Sequence, residues 1–198
     1  MKKRLYLVRH GQTLFNLRKK IQGHCDSPLT ELGRKQPLYV KKHFEEHKIQ
    51  IDNYYCSTSE RASDTLEIIA PNKPYIRLKE LKELNFGVFE GESEDLHQVR
   101  PKDAKTHGDL YVKFGGEDVA DAQKRVVNCL TEIMKKDDHQ NVLAVSHAGA
   151  CYFFTLKFFP EVDLNKITFS NCCVLVWDYE DGNFSFVEAI EHDFSLEI

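Results

Sequence analysis

Two apolar runs of this chain end in a histidine. Leu5-Tyr6-Leu7-Val8 leads directly into Arg9-His10-Gly11, and residues 141–145 lead into Ser146-His147-Ala148-Gly149. Titratable and charged groups are rarely left at the end of a buried run without a partner or a task. A third run ends at Cys56 and is followed by Ser57-Thr58-Ser59-Glu60-Arg61-Ala62, which puts Arg61 in the first turn of a helix. Arginine is the side chain best suited to bind a phosphate at two points. Two arginines, two imidazoles and the start of a helix after His147, gathered at one point, describe a pocket for a tetrahedral dianion. Such a pocket lacks only a proton donor. Glu83 supplies one, in a segment broken by Gly87 and Gly91. A carboxyl beside a dianion keeps its proton more readily, which suits a general acid.

These residues converge only if the elements that carry them line up. Strands are expected over residues 4–8, 52–56, 75–78 and 141–145, with a closing hairpin of 172–179 and 184–190 around Asp181-Gly182-Asn183. Helices are expected over 30–47, with Thr30 as N-cap and Glu31 in the first turn, and over 60–70, 119–136 and 148–159. Pro37 is expected to bend or interrupt the first of these. Strands alternating with helices imply an α/β fold, a three-layer α/β/α sandwich on a mainly parallel central sheet. The closing hairpin would add an antiparallel edge. Ligands of such sheets bind beyond the C-terminal strand ends, where both histidines stand. Residues 91–116 are polar and irregular, and are read as a lid or insertion in a single domain of residues 1–198.

The bulk composition narrows the classes. The chain has 198 residues, 41% of them hydrophobic and 29% charged, an ordinary globular balance for one domain. A formal net charge of −4 argues against a general nucleic-acid footprint. No apolar stretch approaches the roughly 20 residues of a membrane helix. The basic start Met1-Lys2-Lys3-Arg4 precedes an apolar run too short for a secretory signal, so a cytoplasmic protein is expected. The six cysteines form no CxxC pair and no zinc pattern, and read as reduced structural thiols.

Arg9-His10-Gly11-Gln12-Thr13, with Asn16 after it, resembles the signature of the histidine phosphatase superfamily, which includes the cofactor-dependent phosphoglycerate mutases. Four further blocks in the same order resemble that family: Gly23 to Gly33, Ser59 to Thr65, Glu83 to Gly91, and Val145-Ser146-His147. The resemblance implies a phosphoglycerate mutase-like fold and a phosphohistidine intermediate on His10. It implies that Arg9, Arg61 and His147 hold the phosphoryl oxygens, that Glu83 acts as acid and then base, and that Asn16, Gln22 and Gly23 line the substrate side. No metal and no cofactor is expected, since the arginines supply the positive charge. One departure is Ala148, where the family often has Gly. A backbone N–H is still expected to be available there for an anion.

A small-molecule phosphomonoester is the expected partner. Phosphatase is favoured over mutase because Glu83 is followed by Leu84-Asn85-Phe86, not the Arg-His-Tyr of the mutases, and because residues 91–116 carry one arginine, Arg100. Lys102, Lys105 and Lys113 could add charge. A non-catalytic phosphate-binding protein would have lost His10, Arg61, Glu83 or His147, and none is lost. His43, His97, His107, His139 and His192 read as surface or core residues, His43 and His47 as a solvated helix face, and His24 as a residue near the pocket entrance.

Overall fold

The computed structural model describes residues 2–97, 102, 104–161 and 167–195. Arg100 lies outside the described residues. β1 (Lys3–Arg9), β2 (Asn53–Ser57), β3 (Ile76–Leu78), β4 (Asn141–Ser146), β5 (Val174–Glu180) and β6 (Asn183–Ile190) form one sheet in the order β3-β2-β4-β1-β5-β6. β1, β2, β3 and β4 run parallel to their neighbours among themselves, while β5 pairs antiparallel with both β1 and β6. The helices are α1 (Leu14–Leu17), α2 (Glu31–Glu46), α3 (Glu60–Ile69), α4 (Val119–Met134) and α5 (Ala148–Phe158).

Alternation along β1 divides the core between the two faces of the sheet. Leu5 and Leu7 pack with Val126, Leu130 and Phe154 of α4 and α5. Tyr6 and Val8 pack with Val40, Phe44, Ala62 and Leu66 of α2 and α3. The result is the three-layer sandwich. β1 and β4 are neighbours in register, Arg9 opposite Ser146, so the chain leaves both strands at one sheet edge with His10 and His147 side by side.

Most boundaries agree with the sequence reading to within two residues. Pro37 is a difference, because α2 runs unbroken from Glu31 to Glu46 with Pro37 buried inside it. Proline removes the N–H that would bond the Gly33 carbonyl. That carbonyl instead lies against the loop after β1, where a side chain on Gly11 would meet Gly33 O at 2.2 Å. α1 is a second difference. Thr13 caps it by accepting from Asn16 N, and Asn16 Oδ1 accepts in return from Thr13 N, a reciprocal cap that orders a turn too short to show periodicity.

Candidate active site

His10 follows the last residue of β1, and the loop around it is fixed from three sides. His10 N donates to Ser146 O on β4 at 3.0 Å. Gly11 N donates to Thr65 Oγ1 at 3.0 Å, and Thr65 Oγ1 donates to Arg61 O at 2.7 Å, which joins the loop to α3. Asn171 Nδ2 donates to His10 O at 3.0 Å from the strand-entry segment before β5.

The imidazole of His10 is buried, with Nδ1 donating to Gly11 O at 2.7 Å. Nε2 then carries the lone pair and accepts from Arg61 Nε at 3.3 Å. Burial, with the charges of Arg61 and Arg9, holds this ring well below the ordinary histidine range, so it is neutral at pH 7. A neutral imidazole with a fixed tautomer and a directed Nε2 is poised as a nucleophile.

Arg61 is 1% exposed, which demands partners for its charge. Its Nη1 reaches Asp26 Oδ1 and Cys25 O, both at 2.9 Å, and its Nη2 reaches Gly23 O at 2.8 Å. Gly23 has a positive φ of 55°, and a side chain there would run into Glu90 and Phe86, so glycine is required to bring this carbonyl in. Arg9 Nη1 donates to Phe169 O at 2.7 Å. Arg9 Nε and both ring nitrogens of His147 are buried and have no partner among the described residues. The two imidazole centroids lie 5.2 Å apart. His147 is fully buried, and desolvation with nearby Arg61 holds it well below the usual range, so it too is neutral.

Glu83 faces the same space from the loop after β3. Its Oε1 accepts from Leu84 N and its Oε2 from Gly149 N, each at 2.8 Å. The backbone N–H expected to be available to an anion at the start of α5 is thus donated, at Gly149, to Glu83. The contact is close enough that a Cβ on Gly149 would sit 2.2 Å from Glu83 Oε1. Arg125 of α4 donates to the carbonyls of Glu80, Lys82 and Glu83, all at 2.7 Å. His24 Nε2 lies 3.0 Å from Glu83 O.

These groups open on a cavity of about 410 Å³. Arg9, His10, Arg61, Glu83, Asn16, Gln22 and Gly23 all line it, while His147 is fully buried beside His10 and is not on the lining. Gln22 is less free than expected, since Oε1 accepts from Thr13 Oγ1 and Nε2 donates to Ser27 Oγ. The outer wall holds Lys20, Glu94, His97, Lys105, His107, Phe86, Tyr152 and Phe153. His97 and His107, read from the sequence as surface or core residues, are half-buried on this outer wall. No periodicity marks them, because the described residues of their segment form only short turns, Glu94–Leu96 and Val112–Phe114.

With this geometry in place, the family comparison is decisive. Residues 5–191 match the model of the histidine phosphatase superfamily (branch 1). The chain belongs to that superfamily. Among its relatives is 6-phosphofructo-2-kinase/fructose-2,6-bisphosphatase of Caenorhabditis elegans, 33% identical over 171 residues. That alignment takes in 81% of this chain but only 36% of the bifunctional protein, so this superfamily member spans about a third of its length. "Probable phosphoglycerate mutase GpmB" of Yersinia pestis (strain Pestoides F) is 30% identical, with 90% of this chain and 86% of that protein covered. The solved phosphoglycerate mutase of Bacillus anthracis str. Sterne superposes with a TM-score of 0.79 at 26% identity, over 96% of this chain and 92% of that one. The superfamily thus supplies both phosphatases and mutases as neighbours, and the α/β fold is shared with them.

Proposed function

We propose that this histidine phosphatase superfamily member is a phosphomonoester hydrolase that passes the phosphoryl group through Nε2 of His10. One observation supports this most. Next to a neutral imidazole with its Nε2 directed, Arg9 Nε and both nitrogens of His147 are buried without partners among the described residues. An unpaired buried polar atom costs about 1–3 kcal/mol, and clusters of them point to a ligand that pairs them. Of these atoms, Arg9 Nε–H and the single N–H of the neutral His147 ring can donate to phosphoryl oxygens, and the Arg9 guanidinium brings the opposite charge.

In the first step the lone pair of His10 Nε2 bonds to phosphorus and the phosphorus–ester oxygen bond breaks. The carboxyl proton of Glu83 passes to the departing oxygen. In the second step Glu83, now a carboxylate, takes a proton from water as the water oxygen bonds to phosphorus. The phosphorus–nitrogen bond breaks and its electron pair returns to Nε2. Arg9, Arg61 and His147 hold the oxygens throughout, and Nδ1 stays bonded to Gly11 O. No metal is required, because the guanidinium groups of Arg9 and Arg61 carry the positive charge. Asn16, Gln22 and Gly23 line the substrate side, and the described residues Glu94, His97, Lys105 and His107 of the 91–116 segment, read as a lid or insertion, line the outer wall. A cavity of about 410 Å³ suits a small phosphorylated metabolite. The six cysteines are free thiols, which fits a reducing, cytoplasmic setting.

The relatives named as mutases, with Lys20 and Lys105 on the outer wall, favour phosphoglycerate mutase as the second reading. The two separate in one assay. The purified chain is incubated with a panel of phosphomonoesters, with and without chelator, and with 3-phosphoglycerate plus a bisphosphate primer. Phosphate release that survives chelator is expected. Rapid isomerisation of 3-phosphoglycerate with little phosphate release would favour the mutase, and activity lost in chelator would contradict the metal-free mechanism.

A further inference from the structure

Arg125 and Glu117 form a cradle outside the cavity wall. Arg125 is neither on the lining nor in any of the five blocks quoted above. Yet Arg125 makes five bonds. Three go to the carbonyls of Glu80, Lys82 and Glu83, all at 2.7 Å. Two go to the Glu117 carboxylate, Nε to Oε1 at 2.7 Å and Nη2 to Oε2 at 2.8 Å. Glu117 holds the same segment two residues beyond Glu83, because Glu117 N donates to Asn85 O at 2.9 Å and Asn85 N donates to Glu117 Oε2 at 3.4 Å. The main chain is thus gripped on both sides of Glu83 by one ion pair.

The grip matters because Glu83 stands on no helix or strand. It lies between the short 3-10 turns Lys79–Leu81 and Gly87–Phe89, a kind of backbone that does not hold a side chain to a fixed position by itself. The planar guanidinium suits this task, since its fork of donors can meet three carbonyls and a carboxylate at once, which an ammonium cannot match. Both side chains are about four-fifths buried, so the pair is shielded from water and is little screened.

We infer that Arg125, braced by Glu117, is a positioning residue that holds the backbone of Glu83 so that its carboxyl can protonate the departing oxygen. This rests on the hydrolase reading. The transferred proton moves from the Glu83 carboxyl to the ester oxygen as the bond from that oxygen to phosphorus breaks. Arg125 supplies neither proton nor charge to the reacting atoms. Its loss therefore weighs on substrates whose leaving oxygen needs the proton.

The test compares wild type, Arg125→Lys and Glu117→Gln on p-nitrophenyl phosphate, whose leaving group needs little protonation, and on an alkyl phosphate such as glycerol phosphate. Thermal unfolding runs in parallel. For Arg125→Lys, kcat on the alkyl phosphate is expected to fall at least about 10-fold with KM within about 2-fold, and kcat on p-nitrophenyl phosphate to stay within about 3-fold. Glu117→Gln, which keeps the three carbonyl bonds, is expected to show the same selectivity at smaller size and serves as the readout if Arg125→Lys does not fold. Equal losses on both substrates, or none on either, would overturn the inference and leave Arg125 a staple of the fold. A wild-type enzyme that releases no phosphate from either substrate would fail the hydrolase reading instead.

Discussion

The two ends of the cavity are built differently. At the inner end, His10 and Arg61 follow directly from a strand end and a helix start, are almost fully buried, and are tied into the fold by several bonds each. At the outer end, His97, Lys105, Thr106 and His107 come from short turns and irregular backbone, and Lys105 is exposed. His97 is held mainly by Tyr111 OH, 2.7 Å from its Nδ1, and by ring contacts with Phe86 and His107. The inner end is over-determined, so under the proposed reading each phosphoryl group would meet the same geometry. The outer end can vary in sequence without disturbing that geometry, which is how one scaffold can serve different leaving groups.

The contrast makes substitutions at the two ends differ in kind, in descending order of size. Arg61→Ala removes the inner end's buried charge. It is expected to lower kcat by about 10²–10³-fold on every substrate and to weaken inhibition by inorganic phosphate to a similar degree. A loss confined to some substrates would break the contrast. Gly149→Ala pushes a methyl group against Glu83, and is expected to cost about 10-fold or more on alkyl phosphates and much less on p-nitrophenyl phosphate. His97→Ala, at the outer end, is expected to change the ranking of substrates by about 3–10-fold in kcat/KM while kcat on p-nitrophenyl phosphate holds. A uniform loss would place His97 with the inner machinery.

The smallest effect is on stability against pH. His10 and His147 are buried and neutral, with folded values well below 6.5. Below pH 6.5 the unfolded chain binds protons that the native one refuses, so stability is complete above that pH and is lost as pH falls toward the folded values. Tm is expected to be level from pH 8 to 7 and to drop from about pH 6 downward, with a shallower drop in His10→Gln. His192, lowered to about 4 by burial and by His43, adds to the same limb from its contact with α2.

The inner end was the legible one. His10 and His147 stand out because an apolar run gives strand length and direction, and a titratable residue at its end breaks the pattern. Arg61 stands out because it opens a helix after such a run. Glu83 could be placed only by its glycine-flanked segment and by resemblance. Arg125, Glu117 and Asn171 left no signal, because their work is side chain-to-backbone bonding between segments far apart in the chain, 42 residues from Arg125 to Glu83 and 161 from Asn171 to His10. Pro37 misled for a related reason. Its cost to α2 falls at a carbonyl that packs on the loop of Gly11, a contact visible only once the chain has folded. His97 and His107 were passed over because irregular backbone gives a side chain no periodic face by which to judge it.

Covalent catalysis at His10 is tested most directly by trapping. Brief exposure of the wild-type chain to a 32P-labelled phosphomonoester, followed by denaturation in alkali, is expected to leave label that is stable to base, labile to acid and carried by the peptide containing His10. His10→Ala is expected to carry none and to lose turnover by at least about 10³-fold while keeping its fold by circular dichroism. Label on another residue, or undiminished turnover in folded His10→Ala, would contradict a phosphoryl group passing through His10.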